Sequence, residues 1–271
     1  MELEKTDRIV LIGAGRMGSA LAGGWIKAGF GGQIQVIDPK VSPLVQGWAD
    51  AGKVSLNEAV LAAKLVVVAV KPQFFGGLAP QIAERIGPQT QVLSIMAGIP
   101  LAALKAALGT ENVARAMPNT SGLIGKGVTI LSLPETASPS VVRDLRALLE
   151  PLGAVEGPIS EDLLPAATAV SGSGPAYGFL LTEVMAKAGA ANGLDPDMAM
   201  RLARLTVEGA GALMQASRED AATLRKNVTS PGGVTQAALD VLMAEDAIAP
   251  LFEKAVAAAI ARDHALAEES Q

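Results

Sequence analysis

The segment IVLIGAGRMGSAL, residues 9–21, sets the strongest limit on what this chain can fold into. A β-branched run ends at Gly13, and Gly15 and Gly18 follow as a helical pattern begins, giving the spacing G-x-G-x-x-G. The first glycine permits a tight turn, the second lets a pyrophosphate approach the backbone, and the third lets helix pack closely on strand. The N–H groups at the start of the helix then point at the anion. The segment therefore predicts a strand, a phosphate-binding turn and a helix, with Gly13, Gly15, Arg16, Met17 and Gly18 at a dinucleotide cofactor.

The N-terminal half repeats this alternation. RIVLIG (8–13), QIQVID (33–38), KLVVVAV (64–70), TQVLSIM (90–96), NVARAM (112–117) and GVTILSL (127–133) read as strands, and helical patterns such as SPSVVRDLRALLE follow most of them. Continuous apolar runs such as LVVVAV predict strands covered on both faces, as in a parallel sheet. The alternation predicts a doubly wound, Rossmann-type α/β domain. Asp38 lies 20 residues beyond Gly18, at the end of the second strand. A carboxylate there can accept both ribose hydroxyls of NAD and would repel a 2′-phosphate. Asp38 before Pro39 is also an ordinary turn residue, and Lys40 offsets part of its charge, so NADH and NADPH both stay open. Asn57, before Glu58, reads as the N-cap of a helix.

After GAVEGPISED the strand signals stop, and residues 161–271 read as helices. In NGLDPD, Gly193 is placed just past a helix end, Asp195 at the next N-cap and Pro196 at the first helical position. SRED (217–220) has capping-box spacing before AATLRKN, and the acidic tail AEESQ reads as frayed. The pattern divides near residue 160, into a dinucleotide-binding domain (1–160) and an all-α domain (161–271). Small residues in VEGAGALMQA allow close helix approach, so a dimer can bury the excess apolar surface of this half.

Composition removes several chemistries. With no Cys there is no thiolate nucleophile, thiolate metal site or disulfide. The single His, His264, lies near the chain end and reads as a surface residue, so a His triad or multi-His metal centre is excluded and no metal is expected. A net charge of −5 gives nucleic acid or an anionic membrane no reason to bind. The uncharged stretches 86–104 and 163–182 are broken by Pro, Gly and Ser, and the N-terminus MELEKTDR has no apolar signal region, so a cytoplasmic protein is expected. One tract resists this reading. VTSPGGVT (228–235) interrupts the helices with hydroxyls and bare backbone, and holds no acid, base or metal ligand.

AVKPQ (69–73), SIMAGI (94–99) and AMPNTSG (116–122) each sit at the carboxyl end of a predicted strand, where open α/β sheets bind ligands. Taken with SGSGPAY (171–177) and VTSPGGVT, they resemble the pyrroline-5-carboxylate reductase family, in order and over nearly the whole chain from Arg8. Two positions depart from it: Ser121 stands where a rigid Pro is common, and Val234 where a small or hydroxylated residue is common.

The resemblance implies reduction of the C=N bond of 1-pyrroline-5-carboxylate by NADPH or NADH to give L-proline, in a homodimer often assembled into a larger ring. It further implies that Asn57, Ala69, Val70, Lys71, Pro72, Ala97, Gly98, Met117 and Asn119 line the cofactor. Ser171 and Ser173 line the substrate, with Gly172 and Gly174 relieving crowding near the nicotinamide, and Ser230, Gly232 and Gly233 hold its carboxylate. The Thr235 hydroxyl lies beside the ring nitrogen. Tyr177 is a packing residue, because an unperturbed phenol with a pKa near 10 is a poor acid at neutral pH. Two rivals stay open: a β-hydroxyacid dehydrogenase with Lys187 as its base, and a non-catalytic dinucleotide sensor whose helices grip a partner.

Overall fold

The structure, a computed structural model, describes residue 4 and residues 7–30, 34–58 and 63–269. Strands β1 (Ile9–Ile12), β2 (Ile34–Ile37), β3 (Ser55–Leu56), β4 (Leu65–Val68), β5 (Gln91–Ser94), β6 (Val113–Pro118), β7 (Gly127–Ser132) and β8 (Gly153–Ile159) form one sheet, ordered β3-β2-β1-β4-β5-β6-β7-β8. The helices are α1 (Arg16–Lys27), α2 (Pro43–Asp50), α3 (Pro72–Ala83), α4 (Leu101–Leu108), α5 (Pro139–Leu149), α6 (Leu164–Ser171), α7 (Gly174–Ala191), α8 (Pro196–Ala216), α9 (Ala221–Asn227), α10 (Val234–Leu242) and α11 (Ile248–Glu269). Among the described residues no helix is long and apolar enough to cross a membrane.

The chain forms two compact units, one of residues 1–172 with 259–271, the other of residues 173–258. In the first, alternate strand residues feed two cores. Ile9 and Leu11 face Leu21 and Trp25 of α1 and Leu145 and Leu148 of α5. Val10 and Ile12 face Phe75 and Ile82 of α3 and Leu104 of α4. Both faces are thus covered, as the unbroken apolar runs require. Trp25 fixes α1 to α5 by donating Nε1–H to the Leu148 carbonyl at 2.7 Å.

Three sheet features differ from expectation. β7 runs antiparallel to β6, because residues 119–126 between them hold only a 3₁₀ turn (Thr120–Ile124), and a parallel crossover needs about a dozen residues or more. β3 and β8 were not foreseen. β3 is two residues long, and β8 carries Gly153, Gly157 and Pro158, which read as loop. Both are edge strands, where such residues are tolerated. The sequence pattern changes near residue 160, yet α6 is part of the first unit, where Leu164 packs with Met117 and Ile130.

An ion pair made by a buried arginine ties this region together. Arg115 lies inside β6, and its Nη1 donates to Glu161 Oε1 at 2.7 Å. The same oxygen accepts the Leu101 N–H at 2.7 Å and so caps α4.

The second unit holds helices α7 to α10 and the start of α11. NGLDPD behaves as expected: Gly193 takes φ +96°, and the Asp195 carboxylate accepts the Met198 N–H at the start of α8. The capping box does not form. Ser217 is the C-cap of α8 and its hydroxyl accepts the Glu219 N–H, while Asp220 is the N-cap of α9 and accepts the Thr223 N–H at 2.7 Å. That backbone bond holds the Asp220 carboxyl below its ordinary pKa. Tyr177 packs its ring edge-on against Phe252, with centroids 5.6 Å apart. The tail does not fray at Glu268 and Glu269: α11 continues to Glu269, which pairs with Arg262 at 2.7 Å, while Ser270 and Gln271 lie outside the described residues. His264 is exposed on α11, as expected.

The buried apolar residues of this unit are Ala186, Ala199 and Ala203, whereas Phe179, Leu205, Val241 and Leu251 are all more than half exposed in a single chain. Ordinary monomers do not leave a surface of this kind uncovered.

Glu161→Ala leaves the Arg115 guanidinium buried without its acceptor. It is expected to lower stability by about 1.5–3 kcal/mol, and Glu161→Gln by less, as read from urea unfolding midpoints.

Candidate active site

β1 and β4 are neighbours although two strands intervene in sequence, so the sheet reverses its winding between them. Ligands of such sheets bind at that reversal, outside the carboxyl ends of the strands. A cavity of about 600 Å³ opens there. Its floor is Gly13 and Gly15 after β1 and Ala69, Val70 and Lys71 after β4, with Asp38 after β2 on one side. Each glycine of the turn has a separate reason. Gly13 holds φ +93°, and a Cβ there would lie 2.6 Å from the Ala69 carbonyl oxygen. A Cβ on Gly18 would lie 2.1 Å from the Gly13 carbonyl oxygen. Nothing lies within 4 Å of a Cβ on Gly15, whose open side faces the cavity and leaves room for a phosphate. Gly15 is also the N-cap of α1, and no side chain caps that helix. The site therefore fits a dinucleotide.

Arg16 is exposed on the first turn of α1, and Met17 packs partly into the core behind it. Lys71 is the exposed N-cap of α3, with Pro72 at its first position.

Asp38 is held on three sides. Its Oδ2 accepts the Ala14 N–H of the glycine turn at 2.7 Å, and its Oδ1 accepts the Lys40 N–H at 2.8 Å. Asn57 brackets its backbone: Oδ1 accepts the Asp38 N–H, and Nδ2 donates to the Asp38 carbonyl, both at 3.0 Å. Asn57 adopts φ +50°, the left-handed conformation that Asn tolerates better than most residues. The Asn57 amide thus links to Asp38, and the helix that Asn57 was expected to cap falls on residues 59–62, outside the described residues.

A second group gathers around α6. Met117 is buried with Ile130 and Leu164, and Ala97 packs against them. Asn119 is buried too: Nδ2 donates to the Ser171 carbonyl at 3.0 Å, and Oδ1 accepts the Val128 N–H at 3.2 Å. Its amide therefore ties the end of β6 to α6 and to β7. Ser171 commits its hydroxyl proton to the Ala167 carbonyl at 2.9 Å, so toward any other group its oxygen can only accept. Gly98, at φ +71°, lies against the chain's last helix, where a Cβ would come within 3.2 Å of Leu266 Cβ. A Cβ on Gly172 would meet the Thr168 carbonyl oxygen at 2.9 Å, so its glycine is explained by local helix packing. Gly174 has nothing within 4 Å. Ser121 lies in the 3₁₀ turn after Asn119, and its carbonyl accepts the Lys126 N–H that closes the turn.

The third group belongs to the second unit. Ser173 is the N-cap of α7 and gives it no side-chain bond. In VTSPGGVT, residues 230–233 form a tight turn closed by the Gly233 N–H on the Ser230 carbonyl at 3.0 Å, with Gly232 at φ +69°. Thr229 turns its hydroxyl back to the Arg225 carbonyl, but Ser230 and Thr235 are both exposed. Gly233 is the N-cap of α10, and no side chain caps this helix either. The tract thus presents N–H groups and two hydroxyls at the positive end of a helix dipole, an uncharged seat for one anion. Lys187, the base of a hydroxyacid dehydrogenase in the rival reading, is exposed and paired with Glu183, whose carboxyl it holds below its ordinary pKa.

Sequence reasoning missed Phe74, Gly77 and Leu78, which also line the cavity. The signal was present in PQFFGGLAPQIA, where an apolar face at 74, 77 and 78 accompanies the core face at 75, 79 and 82.

Comparison with known proteins covers both halves. Residues 161–266 match the family model for pyrroline-5-carboxylate reductase dimerisation, and residues 8–98 match that for NADP oxidoreductase, coenzyme F420-dependent. The chain is 38% identical to pyrroline-5-carboxylate reductase of Pseudomonas aeruginosa, over 97% of its own length and 98% of the relative's. Among solved structures, it is similar to a pyrroline-5-carboxylate reductase from Coxiella burnetii (TM-score 0.88, 30% identity, 96% of this chain and 98% of that one). It is also similar to the Plasmodium falciparum pyrroline carboxylate reductase with NADP bound (TM-score 0.80, 26% identity, 98% of this chain and 100% of that one).

Asn57→Ala removes the bracket and places an alanine at positive φ. It is expected to cost about 2 kcal/mol. Asn57→Gly, which relieves the backbone but not the lost bonds, is expected to recover about 1 kcal/mol of that. Urea unfolding of the two variants separates the contributions.

Proposed function

The chain belongs to the pyrroline-5-carboxylate reductase family, and from that premise we propose how its own residues carry out the family's reaction. The reaction is NAD(P)H-dependent reduction of the C=N bond of 1-pyrroline-5-carboxylate to L-proline, the last step of proline biosynthesis. The protein is a homodimer, and its helical half is the dimerisation domain. We assign residues 1–160 to dinucleotide binding and 161–271 to substrate binding and dimerisation, place the enzyme in the cytoplasm, and propose that its dimers assemble into a larger ring.

The observation that carries the assignment of the site is the uncapped start of α10 behind Ser230, Gly232 and Gly233. In this reading, the N–H groups of that turn and the Ser230 hydroxyl hold the substrate carboxylate. The Thr235 hydroxyl, one turn-step along, meets the ring nitrogen. Ser171 and Ser173 close the other side of the ring. Gly13, Gly15, Gly18, Arg16 and Met17 seat the cofactor's pyrophosphate, while Asp38, Asn57, Ala69, Val70, Lys71 and Pro72 surround its adenosine. Ala97, Gly98, Met117 and Asn119 shape the wall of the nicotinamide. When bound, the reduced nicotinamide supplies the hydride.

The substrate in its protonated imine form already carries the proton that the product nitrogen keeps, so hydride addition at carbon completes the reduction. No strong acid is required, which suits a chain with no Cys and with its one His exposed on α11. The chain's task is to orient two reactants, an effect that can supply about 7–11 kcal/mol of a barrier. Asp38 favours NADH: each carboxylate oxygen accepts one backbone N–H and retains a lone pair for a ribose hydroxyl, while its charge opposes a 2′-phosphate.

Steady-state assays with pyrroline-5-carboxylate and each reduced cofactor test this reading. Thr235→Val is expected to lower kcat about 10²-fold with cofactor affinity little changed, and unchanged kcat would remove Thr235 from the mechanism. Asp38→Ser is expected to shift the ratio of kcat/KM values toward NADPH by about tenfold, equal to roughly 1.4 kcal/mol. Because the carboxylate also receives the Ala14 N–H, both absolute values fall, and the ratio is the quantity that reports discrimination. An unmoved ratio would mean that Asp38 does not face the ribose.

A further inference from the structure

The loop after β5, residues 95–100, is fastened at both ends and along its inner face. At its start the Ser94 hydroxyl accepts the Met96 N–H at 3.2 Å, and at its exit Glu161 accepts the Leu101 N–H at 2.7 Å. Met96 and Ile99 are buried in the core with Leu101 and Leu104. Ala97 packs against Met117, Ile130 and Leu164. Gly98, at the turn itself, brings no side chain to this packing.

Gly98 differs from four other turn glycines of this chain. Gly52, Gly109, Gly193 and Gly232 also hold positive φ, and nothing lies within 4 Å of a Cβ on any of them. On Gly98, at φ +71°, a Cβ would lie 3.2 Å from Leu266 Cβ, 3.6 Å from the Leu266 carbonyl carbon and 3.7 Å from the Ala267 nitrogen. Backbone conformation accounts for the first four. At Gly98 a helix rests on the turn as well. That helix is α11, which starts in the second unit and whose residues from Ala259 onward group with the first. The Arg262 guanidinium reaches two turns along α11 to the Glu269 carboxylate, at 2.7 and 3.3 Å, and so braces the stretch that carries Leu266.

We infer that Leu266 is a positioning residue for the reaction: through Gly98 it backs the loop 95–100 and sets how near the reduced nicotinamide comes to the imine carbon. The inference rests on the assignment of Ala97 and Gly98 to the nicotinamide wall. A turn with no side chain at its apex cannot anchor that apex in a core, and α11 supplies the support from outside. Hydride transfer needs the reacting atoms about 3–3.5 Å apart, and a misplacement of about 1 Å can cost about 10²-fold in rate. Leu266 need touch neither reactant, because it acts through the loop.

Steady-state kinetics of the full-length protein, paired with calorimetric titration of NADH and ADP-ribose, test the inference. Leu266→Glu sets a charge against the turn, and Leu266→Ala removes the side chain beyond Cβ and serves if the first variant misfolds. In Leu266→Glu, kcat is expected to fall about tenfold or more, with a smaller fall in Leu266→Ala and recovery in Leu266→Met. NADH binding is expected to weaken by a similar factor, while ADP-ribose, which has no nicotinamide, binds as in the wild type. Equal weakening of NADH and ADP-ribose, in step with a lower urea midpoint, would give Leu266 a purely structural role and overturn the inference. Ala97→Leu, which crowds the same wall from the loop itself, separates the inference from the assignment beneath it. If Ala97→Leu lowers kcat while the Leu266 variants turn over like the wild type, the backing role is wrong and the nicotinamide wall stands. If all of these variants keep wild-type kcat and NADH binding, the loop is not at the nicotinamide and both ideas fail.

Discussion

Two helix N-termini whose N-caps are glycines, those of α1 and α10, organise this molecule. Four other helices satisfy part of their own first turn with a side chain: Ser42 caps α2, Ser138 caps α5, Asp195 caps α8 and Asp220 caps α9, each accepting a backbone N–H. The N-caps of α1 and α10 are instead Gly15 and Gly233, with no side-chain bond. An uncapped first turn carries several unpaired N–H groups and roughly half a positive charge. Placed behind glycines that admit an anion, it offers negative charge a partner made of backbone N–H groups. The reaction brings two such anions, a pyrophosphate and a carboxylate. A chain with a net charge of −5 can hold both in this way, without a dedicated cluster of Lys or Arg.

The helical unit supports this arrangement only as part of something larger. Its buried apolar residues are three alanines, while side chains as large as Phe179 and Leu205 face outward in the single chain. At about 25 cal/mol per Å² of apolar surface removed from water, covering such faces is a main source of stability. The helical half matches a family dimerisation domain, and a dimer is a means of such cover. This is also why small residues recur along α8: they let helices approach closely where no bulky core exists.

Much of the fold was legible in the sequence because its signals were local. The three glycines at 13, 15 and 18 mark one strand–turn–helix junction, and six strands announced themselves as β-branched runs. Gly193, Asp195 and Pro196 punctuate a helix junction by short-range chemistry and fell where expected. What escaped was decided by tertiary partners. β8 looks like loop because Gly157 and Pro158 are tolerated only at a sheet edge, and nothing local says where the edge is. Nothing near Asn57 in the sequence announces that its amide serves Asp38, 19 residues away. Arg115 in a strand gives no hint of Glu161, which neutralises it from 46 residues further on. Ser217 and Asp220 both fit a capping pattern, and the carboxylate prevailed because Ser217 already ends α8. The candidate site divides the same way: the motifs marked its glycines and hydroxyls, whereas the wall of α3 became visible only beside the cavity it lines.

The central claim is that the turn before α10 holds a carboxylate by backbone N–H groups and hydroxyls alone. A crystal structure with L-proline and NAD+ tests it most directly. The account requires the proline carboxylate to lie within about 2.7–3.2 Å of N–H or hydroxyl groups of residues 230–235, in either subunit. Proline bound elsewhere, or paired with an Arg or Lys side chain while that turn stays vacant, would contradict it.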